Sequence, residues 1–244
     1  MTKAAILIDG GYFLARLPSV RKTVDPNDPA QVADAIEHLV RSHLRQLNKV
    51  ARQPHDFALL YRCFYYDAIP YDRKAHLPVS GRGIDYARSA QAIFRRELFE
   101  ALRRKRNFAI RLGSVMRERS WVMDENVQKD LIAGKIGVDD LTDDHFYAGL
   151  RQKGVDMRIG LDIASLTLKK QVDTIILVAG DSDFVPAAKL ARREGVQIIL
   201  DPLWRSVTPD LFEHIDYLRS GVPRPGARAE GFNEDDEGED VDGA

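Results

Sequence analysis

The feature that most constrains the fold of this chain is an alternation of short apolar runs with longer stretches of helical spacing. Five runs rich in β-branched or aromatic residues have the length of buried strands: 3–8, 57–66, 108–116, 172–179 and 196–200. Four of the segments between and after them carry apolar residues every three or four positions: 30–50, 87–105, 155–169 and 184–193. A short last helix is expected at 211–218. Strands that alternate with helices predict an α/β fold, with a mainly parallel sheet covered by helices on both faces.

Two stretches of the chain depart from this alternation. Residues 67–86 are interrupted by proline and glycine and are expected to form a loop, and residues 117–150 show no clear period. We therefore expect one domain over residues 1–220, with insertions at about 67–106 and 117–150. Residues 221–244 lack apolar periodicity and are expected to form a disordered acidic tail.

The formal net charge of −1 hides an uneven distribution of charge. Residues 230–244 hold eight acidic residues and no lysine or arginine, which leaves 29 acids against 36 bases, a charge of +7, in residues 1–229. A basic body is suited to a polyanion. No apolar run approaches the roughly 20 residues of a membrane span, and the first run is too short for a signal peptide. We therefore expect a cytoplasmic protein that does not associate with membranes.

Aspartates follow two of the predicted strands at the point where each strand ends. Asp9 follows the first run, and Asp181 and Asp183 follow the fourth, before a helix. Ligands of such sheets bind beyond the carboxyl ends of the strands, and carboxylates are ligands that hard divalent cations prefer. Gly10 and Gly11 carry no side chains, so a ligand could approach closely there. In the plain alternative reading, Asp183 is only a helix cap and Asp181 only a turn former.

A further aspartate, Asp156, begins the helix predicted at 155–169. Its plain role would be to interact favourably with the helix dipole. Asp162 lies six residues later, which places it about 240° around the helix from Asp156. We therefore expect Asp156 to be a direct metal ligand and Asp162 to act only through a water molecule or in support.

Three segments together resemble the NYN domain family, the LabA-like branch of the PIN-like nucleases: AILIDGGYF, KGVDMRIGLDIASL and DTIILVAGDSDFVPAAKLARREGVQIIL. The resemblance covers about residues 3–17 and 152–203, and residues 67–150 carry none of its motifs. It implies a Rossmann-like three-layer α/β/α sandwich and an acidic pocket that binds Mg²⁺ or Mn²⁺ and hydrolyses RNA.

The resemblance also assigns roles to individual residues. The residues that match the catalytic and metal-binding positions are Asp9, Asp156, Asp181 and Asp183, and Ser182, Gly10, Gly11 and Tyr12 would support them. Many relatives have an asparagine shortly after the first aspartate, where this chain has Gly10-Gly11-Tyr12. Tyr12 would then either stack on a base or simply pack.

These residues predict a metal-dependent ribonuclease, of the endonuclease type, that binds single-stranded or structured RNA and could form a homo-oligomer. The candidate RNA contacts are basic: Arg95, Arg96, Arg103, Arg104, Arg106 and Lys153. The arginines could equally form an ordinary solvated helix face. Three tyrosines lie at and beyond the end of the second strand: Tyr65, Tyr66 and Tyr71. One of them could stack on a base, although Tyr65 is expected to pack in the core.

Two other functions fit parts of the pattern. A nuclease-like fold could hold RNA or a nucleotide without cutting it, although such a module has no need of clustered carboxylates. A phosphatase could use Asp9 as a nucleophile, but the second aspartate two residues later that would act as acid or base is missing. The single cysteine, Cys63, excludes an internal disulfide, and the six histidines have no metal-ligand spacing.

Overall fold

The computed structural model describes residues 3–51 and 57–225. Its helices and strands are β1 (Ala4–Asp9), α1 (Gly10–Val20), α2 (Pro29–Ala51), β2 (Leu60–Ile69), β3 (Lys74–His76), β4 (Gly83–Asp85), α3 (Ala90–Arg103), β5 (Phe108–Met123), α4 (Glu125–Ile132), β6 (Phe146–Lys153), α5 (Val155–Leu168), β7 (Thr174–Val178), α6 (Val185–Arg193), β8 (Gln197–Asp201), α7 (Pro209–Glu213) and β9 (Tyr217–Leu218). Of the predicted disordered tail 221–244, residues 226–244 lie outside the described residues, whereas Gly221 and Val222 are buried against the core.

A seven-stranded sheet forms the centre of the molecule, in the order β6-β5-β2-β1-β7-β8-β9. Neighbouring strands are parallel except for β5 and β6, which are antiparallel. β1 lies in the middle, and its residues Ala5–Ile8 are fully buried, as expected for an uninterrupted apolar run in a parallel sheet. The predicted α/β class with a mainly parallel sheet is confirmed.

Helices cover both faces of the sheet and produce three layers. Ile6 and Ile8 point to the face packed by α1, α2 and α3, whereas Ala5 and Leu7 point to the face packed by α5 and α6. The alternation follows from the period of two along a strand. None of the helices in the described part of the chain is long and apolar enough to span a membrane.

Two local expectations were wrong, and one helix was not predicted. The helix that was not predicted is α1, which begins directly after β1. Packing of Phe13 and Leu17 against the sheet stabilises it, although the sequence GGYFLARLP only weakly favours a helix. The expected loop 67–86 contains the end of β2 and the antiparallel pair β3–β4. The expected last helix ends at Glu213, and residues 217–218 pair with β8 instead.

Residues 117–150, expected to be irregular, contain most of an antiparallel arm. The last pair between β5 and β2 is Ser114 with Ile69; β5 then continues to Met123 and pairs with β6. We call the paired segments 114–123 and 146–153 the ribbon. It extends past the carboxyl end of β2, and the indole Nε1 of Trp121 donates to the carbonyl oxygen of His76 at 3.0 Å, which ties the ribbon to β3. Only pairing between distant segments produces this element, so local periodicity does not reveal it.

Candidate functional site

The site lies where β1 and β7 end side by side. The register pairs Ile8 with Val178, so Asp9 and the turn that contains Asp181 leave the sheet at the same edge. Asp156 reaches this edge from the first turn of α5. Three separate segments of the chain therefore bring carboxylates to one place because parallel strands share a carboxyl edge.

Asp9 is the last residue of β1 and the N-cap of α1, where its Oδ1 accepts a hydrogen bond from the amide of Tyr12 at 3.1 Å. Burial raises the pKa of Asp9 to about 6; the amide of Tyr12 opposes this rise, and the charges of Asp156 and Asp67 add to it. A carboxylate whose ionised form is disfavoured by burial and by other carboxylates gains stability from a nearby cation.

Asp181 and Asp183 belong to the turn between β7 and α6. Asp181 is the N-cap of the 3-10 turn Ser182–Phe184, and its Oδ1 accepts from the amide of Asp183 at 3.1 Å. Both aspartates are exposed, Ser182 is half-buried between them, and Phe184 anchors the turn in the core. The plain reading of this pattern, that an aspartate caps the turn, is therefore part of the structure, with Asp181 as the cap.

Asp156 connects the two other groups electrostatically. Burial raises its pKa, and the charges of Asp181 and Asp183 raise it further. Its own charge in turn raises the pKa of Asp9. The four aspartates that the sequence singled out, which we call the carboxylate cluster, thus lie within electrostatic range of one another, directly or through Asp156.

The cluster fits a divalent cation in donor chemistry and charge, since hard cations prefer carboxylate oxygens. In the described parts of the chain, however, no three His, Cys, Asp or Glu side chains lie close enough together to hold a metal ion. Asp9 and Asp181 are each directed at a backbone amide of their own turn. A carboxylate has two oxygens with several lone pairs, so capping and metal binding are compatible for the same side chain.

Close packing, rather than room for a ligand, explains the glycines beside the aspartates. A Cβ atom on Gly10 would lie 2.5 Å from the hydroxyl oxygen of Tyr65, and one on Gly180 would lie 2.5 Å from Cε2 of Tyr12. Gly11 lies beside the cluster, since its Cβ would be 3.4 Å from Oδ1 of Asp9. Tyr12 therefore packs across Gly180, which settles the choice between stacking on a base and packing in favour of packing.

Sequence reasoning missed Asp67, a fully buried carboxylate near the end of β2. It pairs with the guanidinium of Arg95 and accepts a hydrogen bond at 3.2 Å from Nε2 of Gln152. Burial raises the pKa of Asp67, and Arg95 opposes that rise. The sequence signal that identified Asp9, an aspartate directly after an apolar run, is also present here. Asp67 directly follows the apolar run 57–66, which forms a strand adjacent to β1.

Asp162 binds side chains that do not belong to the carboxylate cluster. Its Oδ2 accepts from the hydroxyl of Tyr66 at 2.8 Å and from Nε of Arg111 at 3.1 Å. It also lies about 9 Å along the helix axis from Asp156, at 1.5 Å per residue. These contacts give Asp162 a structural role between α5, β2 and β5.

The arginines expected to contact RNA are divided between the two edges of the sheet. Arg95 is paired with Asp67, and Arg96 donates to the carbonyl oxygen of Ala87, near the start of α3. Helix α3 connects the parallel strands β2 and β5, so it runs antiparallel to both. Its last turn therefore lies at the opposite edge of the sheet, where these strands begin and the amide of Cys63 donates to the carbonyl oxygen of Asn107 at 2.9 Å.

That edge therefore holds the second half of the expected track: Arg103, Arg104 and Arg106. The structure does not bring these three arginines to the carboxylate cluster. Lys153 differs, because it is exposed at the end of β6, three residues before Asp156.

The comparisons with known proteins add one finding. A family model described as the NYN domain matches residues 69–213, which is more than half of the chain. The match includes Asp156, Asp181 and Asp183, together with the ribbon, whereas Asp9 precedes it. No curated protein and no solved structure matched the chain at a significant level.

Proposed function

Because the chain belongs to the NYN domain family, within the PIN-like superfamily, we propose that it is a metal-dependent ribonuclease that hydrolyses RNA phosphodiester bonds at the carboxylate cluster. The observation that carries this proposal is that Asp9, Asp156 and the turn holding Asp181 and Asp183 meet at one edge of the sheet, where Asp156 raises the pKa of Asp9, and Asp181 and Asp183 raise the pKa of Asp156. Uncompensated carboxylates brought together from distant parts of a chain destabilise the fold unless a bound cation offsets their charge.

The proposed roles follow from where each side chain lies. Asp9, Asp156, Asp181 and Asp183 would hold one or two divalent cations, Mg²⁺ or Mn²⁺. Such a cation lowers the pKa of a bound water and offsets charge on the leaving oxygen of a phosphodiester. The turn caps fix the backbone of the two carboxylate-bearing turns, and Ser182, which lies in the second turn, would support the site. Lys153, at the edge of the cluster, is suited to contact a phosphate of the substrate.

A cleavage assay on labelled RNA tests the proposal. We expect cleavage with Mn²⁺ or Mg²⁺, no cleavage after addition of EDTA, and no cleavage by Asp181→Asn, whose side chain is isosteric with aspartate. A circular RNA separates the two modes of attack, because only an endonuclease opens it. Absence of cleavage of any single-stranded or structured RNA with either metal would refute the proposal.

One structural observation favours a second candidate, an RNA-binding module that does not cut. Asp9 and Asp181 already act as backbone caps, and the described residues hold no group of three metal-binding side chains. For such a module, RNA affinity would be the same with Mg²⁺ and with EDTA, and the RNA would remain intact. For the nuclease, Mg²⁺ is required for cleavage.

A further inference from the structure

The ribbon, together with the segments packed against it, carries a group of aromatic and cationic side chains that lies outside the carboxylate cluster. Its members, which we call the aromatic patch, come from the segment after β2, the 3-10 turn before α3, and β5: Tyr71, Tyr86, Arg117 and Trp121. We propose that the aromatic patch is a subsite on which unpaired bases of the RNA substrate stack. The proposal rests on the ribonuclease function and specifies how its substrate is held.

The four side chains form one continuous group. The rings of Tyr71 and Tyr86 meet edge to face with centroids 5.3 Å apart, and the guanidinium of Arg117 lies 5.3 Å from the centroid of the Trp121 ring. Burial raises the pKa of Tyr86, and the charge of Arg117 opposes that rise, so these two groups are also close. All four residues are half-buried, so the three aromatic residues and Arg117 each keep part of their surface accessible.

The patch is fixed in place before any ligand binds. The hydrogen bond from Nε1 of Trp121 to His76 orients the indole ring against the β3–β4 pair. Asp143 accepts from the amides of Val79 and Ser80 at 3.0 and 3.1 Å, which attaches the same pair to the segment between β5 and β6. The hydroxyl of Tyr86 is shielded from solvent and has no hydrogen-bond partner among the described residues, so this ring meets a ligand through its carbon face and not through its oxygen.

The patch lies within reach of the carboxylate cluster, as distances to Asp67 show. Asp67 lies near the cluster, because its charge acts on Asp9. Tyr71 follows Asp67 by four residues, a separation of at most about 14 Å even for a fully extended chain. Gln152, opposite Val115 on the ribbon, donates to Asp67. Ala148, opposite Trp121, is four residues before Gln152, or about 13 Å along the strand. One RNA strand can therefore occupy the patch and the cluster together.

Charge along the ribbon favours an anionic occupant, and the aromatic rings beside it favour a nucleic acid, whose bases can stack. Segments 114–123 and 146–153 contain four lysines or arginines and one acidic residue, whereas the connecting segment 124–145 contains two lysines and seven acids. The cationic part is the part beside the cluster. Aromatic rings with arginine in a basic setting are the usual means of holding single-stranded nucleic acid without reading its sequence.

Binding of a short labelled single-stranded RNA to the full chain in EDTA, where cleavage is absent, tests the subsite. We expect Trp121→Ala and Tyr71→Ala to raise Kd about 5- to 100-fold, the range for loss of a base–aromatic stack. Trp121→Phe, which keeps a ring, should retain most of the affinity. The matched control is Tyr147→Ala: Tyr147 is 56% exposed on the same ribbon, but it pairs with Val122, next to Trp121, and so lies on the opposite face.

A series of RNAs, each lacking the base at one different position, provides a test on the wild-type protein itself. Loss of the base at one or two of these positions should weaken binding to the wild-type protein and should have no further effect on binding to Trp121→Ala. Equal affinity of Trp121→Ala, Tyr71→Ala and Tyr147→Ala, together with uniform tolerance of abasic positions, would overturn the subsite while leaving cleavage intact. Failure of the wild-type protein to bind or cut any RNA would instead remove the proposed function itself.

Discussion

The hydroxyl of Tyr12 donates a hydrogen bond to the carbonyl oxygen of Pro202 at 2.5 Å. The same residue donates its amide to Asp9 and packs its ring against Gly180, directly before Asp181. Tyr12 therefore connects the two carboxylate-bearing turns with the loop after β8. Burial raises the pKa of Tyr12 to about 12, so the hydroxyl keeps its proton at physiological pH.

This contact predicts a coupling between Tyr12 and Gly180. Tyr12→Phe should reduce the free energy of unfolding by about 1 kcal/mol, through loss of one hydrogen bond. Gly180→Ala should cost about 1–3 kcal/mol, because the added Cβ overlaps the ring. In urea denaturation, the double variant Tyr12→Ala with Gly180→Ala should lose less free energy of unfolding than the sum of the losses in Tyr12→Ala alone and Gly180→Ala alone. Strict additivity would show that the ring and the glycine do not interact.

Divalent metal should stabilise the folded protein. If the carboxylate cluster binds Mn²⁺ or Mg²⁺, metal at about 100 times its Kd adds about 2.7 kcal/mol to the free energy of unfolding. Thermal melting with and without metal measures this effect. Asp156→Asn should raise the melting temperature without metal, since it removes repulsion with Asp181 and Asp183, and should reduce the rise caused by metal. A melting curve unaffected by either metal would argue against the site.

The raised pKa of Asp9 predicts a pH dependence of stability without metal. The carboxyl normally titrates near 3.8 and does so at about 6 in the folded protein. The folded state therefore binds more protons than the unfolded state in this range, and the free energy of unfolding falls as pH rises from about 4 to about 6. Asp9→Asn keeps the N-cap, because asparagine caps as well as aspartate. In this variant, the free energy of unfolding should fall less steeply between about pH 4 and about pH 6. An unchanged pH dependence would show that it arises from other groups.

The sequence was sufficient to predict the centre of the sheet and to single out the four aspartates of the carboxylate cluster. β1, up to its last residue Asp9, and β7 are apolar runs without charge. The four aspartates follow from counting to the ends of strands and the starts of helices. Asp67 was missed because the second strand was ended at Tyr66, whereas β2 continues to Ile69 through pairing with β5. A boundary error of three residues moved a buried carboxylate into a presumed loop.

The ribbon and the arginines illustrate a different limit. Pairing between β5 and β6 joins residues about thirty positions apart, and nothing in the local period of either segment specifies it. For α3, the period correctly gave a basic and an apolar face. The position of its last turn depends on the direction of the helix relative to the sheet. The spacing of the arginines along the sequence does not specify this direction.

The position of the last turn of α3 changes what charge reversal there should do. Arg103→Glu with Arg104→Glu alters charge at the edge of the sheet opposite the carboxylate cluster, so we expect RNA affinity at moderate salt to remain close to that of the wild type. The matched change Lys153→Glu, beside the cluster, should weaken binding and reduce the dependence of affinity on salt by about one phosphate contact. The reverse ranking in a salt titration of RNA binding would place the RNA along α3.

The hydrogen-bonded pair of His43 and Asp201 should contribute more to stability than an exposed ion pair, because both side chains are fully buried and Nε2 lies 2.9 Å from Oδ2. Asp201 also accepts from the amides of Leu203 and Gly221 at 2.8 and 2.9 Å, so it holds the chain after β9 and the loop contacted by Tyr12. Asp201→Ala leaves three buried donors without their acceptor and should cost about 3–5 kcal/mol, the range for breaking a buried pair. Asp34→Ala, which removes an exposed partner of Lys105, should cost less than about 1 kcal/mol. Urea denaturation of both variants measures the difference, and similar small losses would show that the buried pair contributes no more than a surface one.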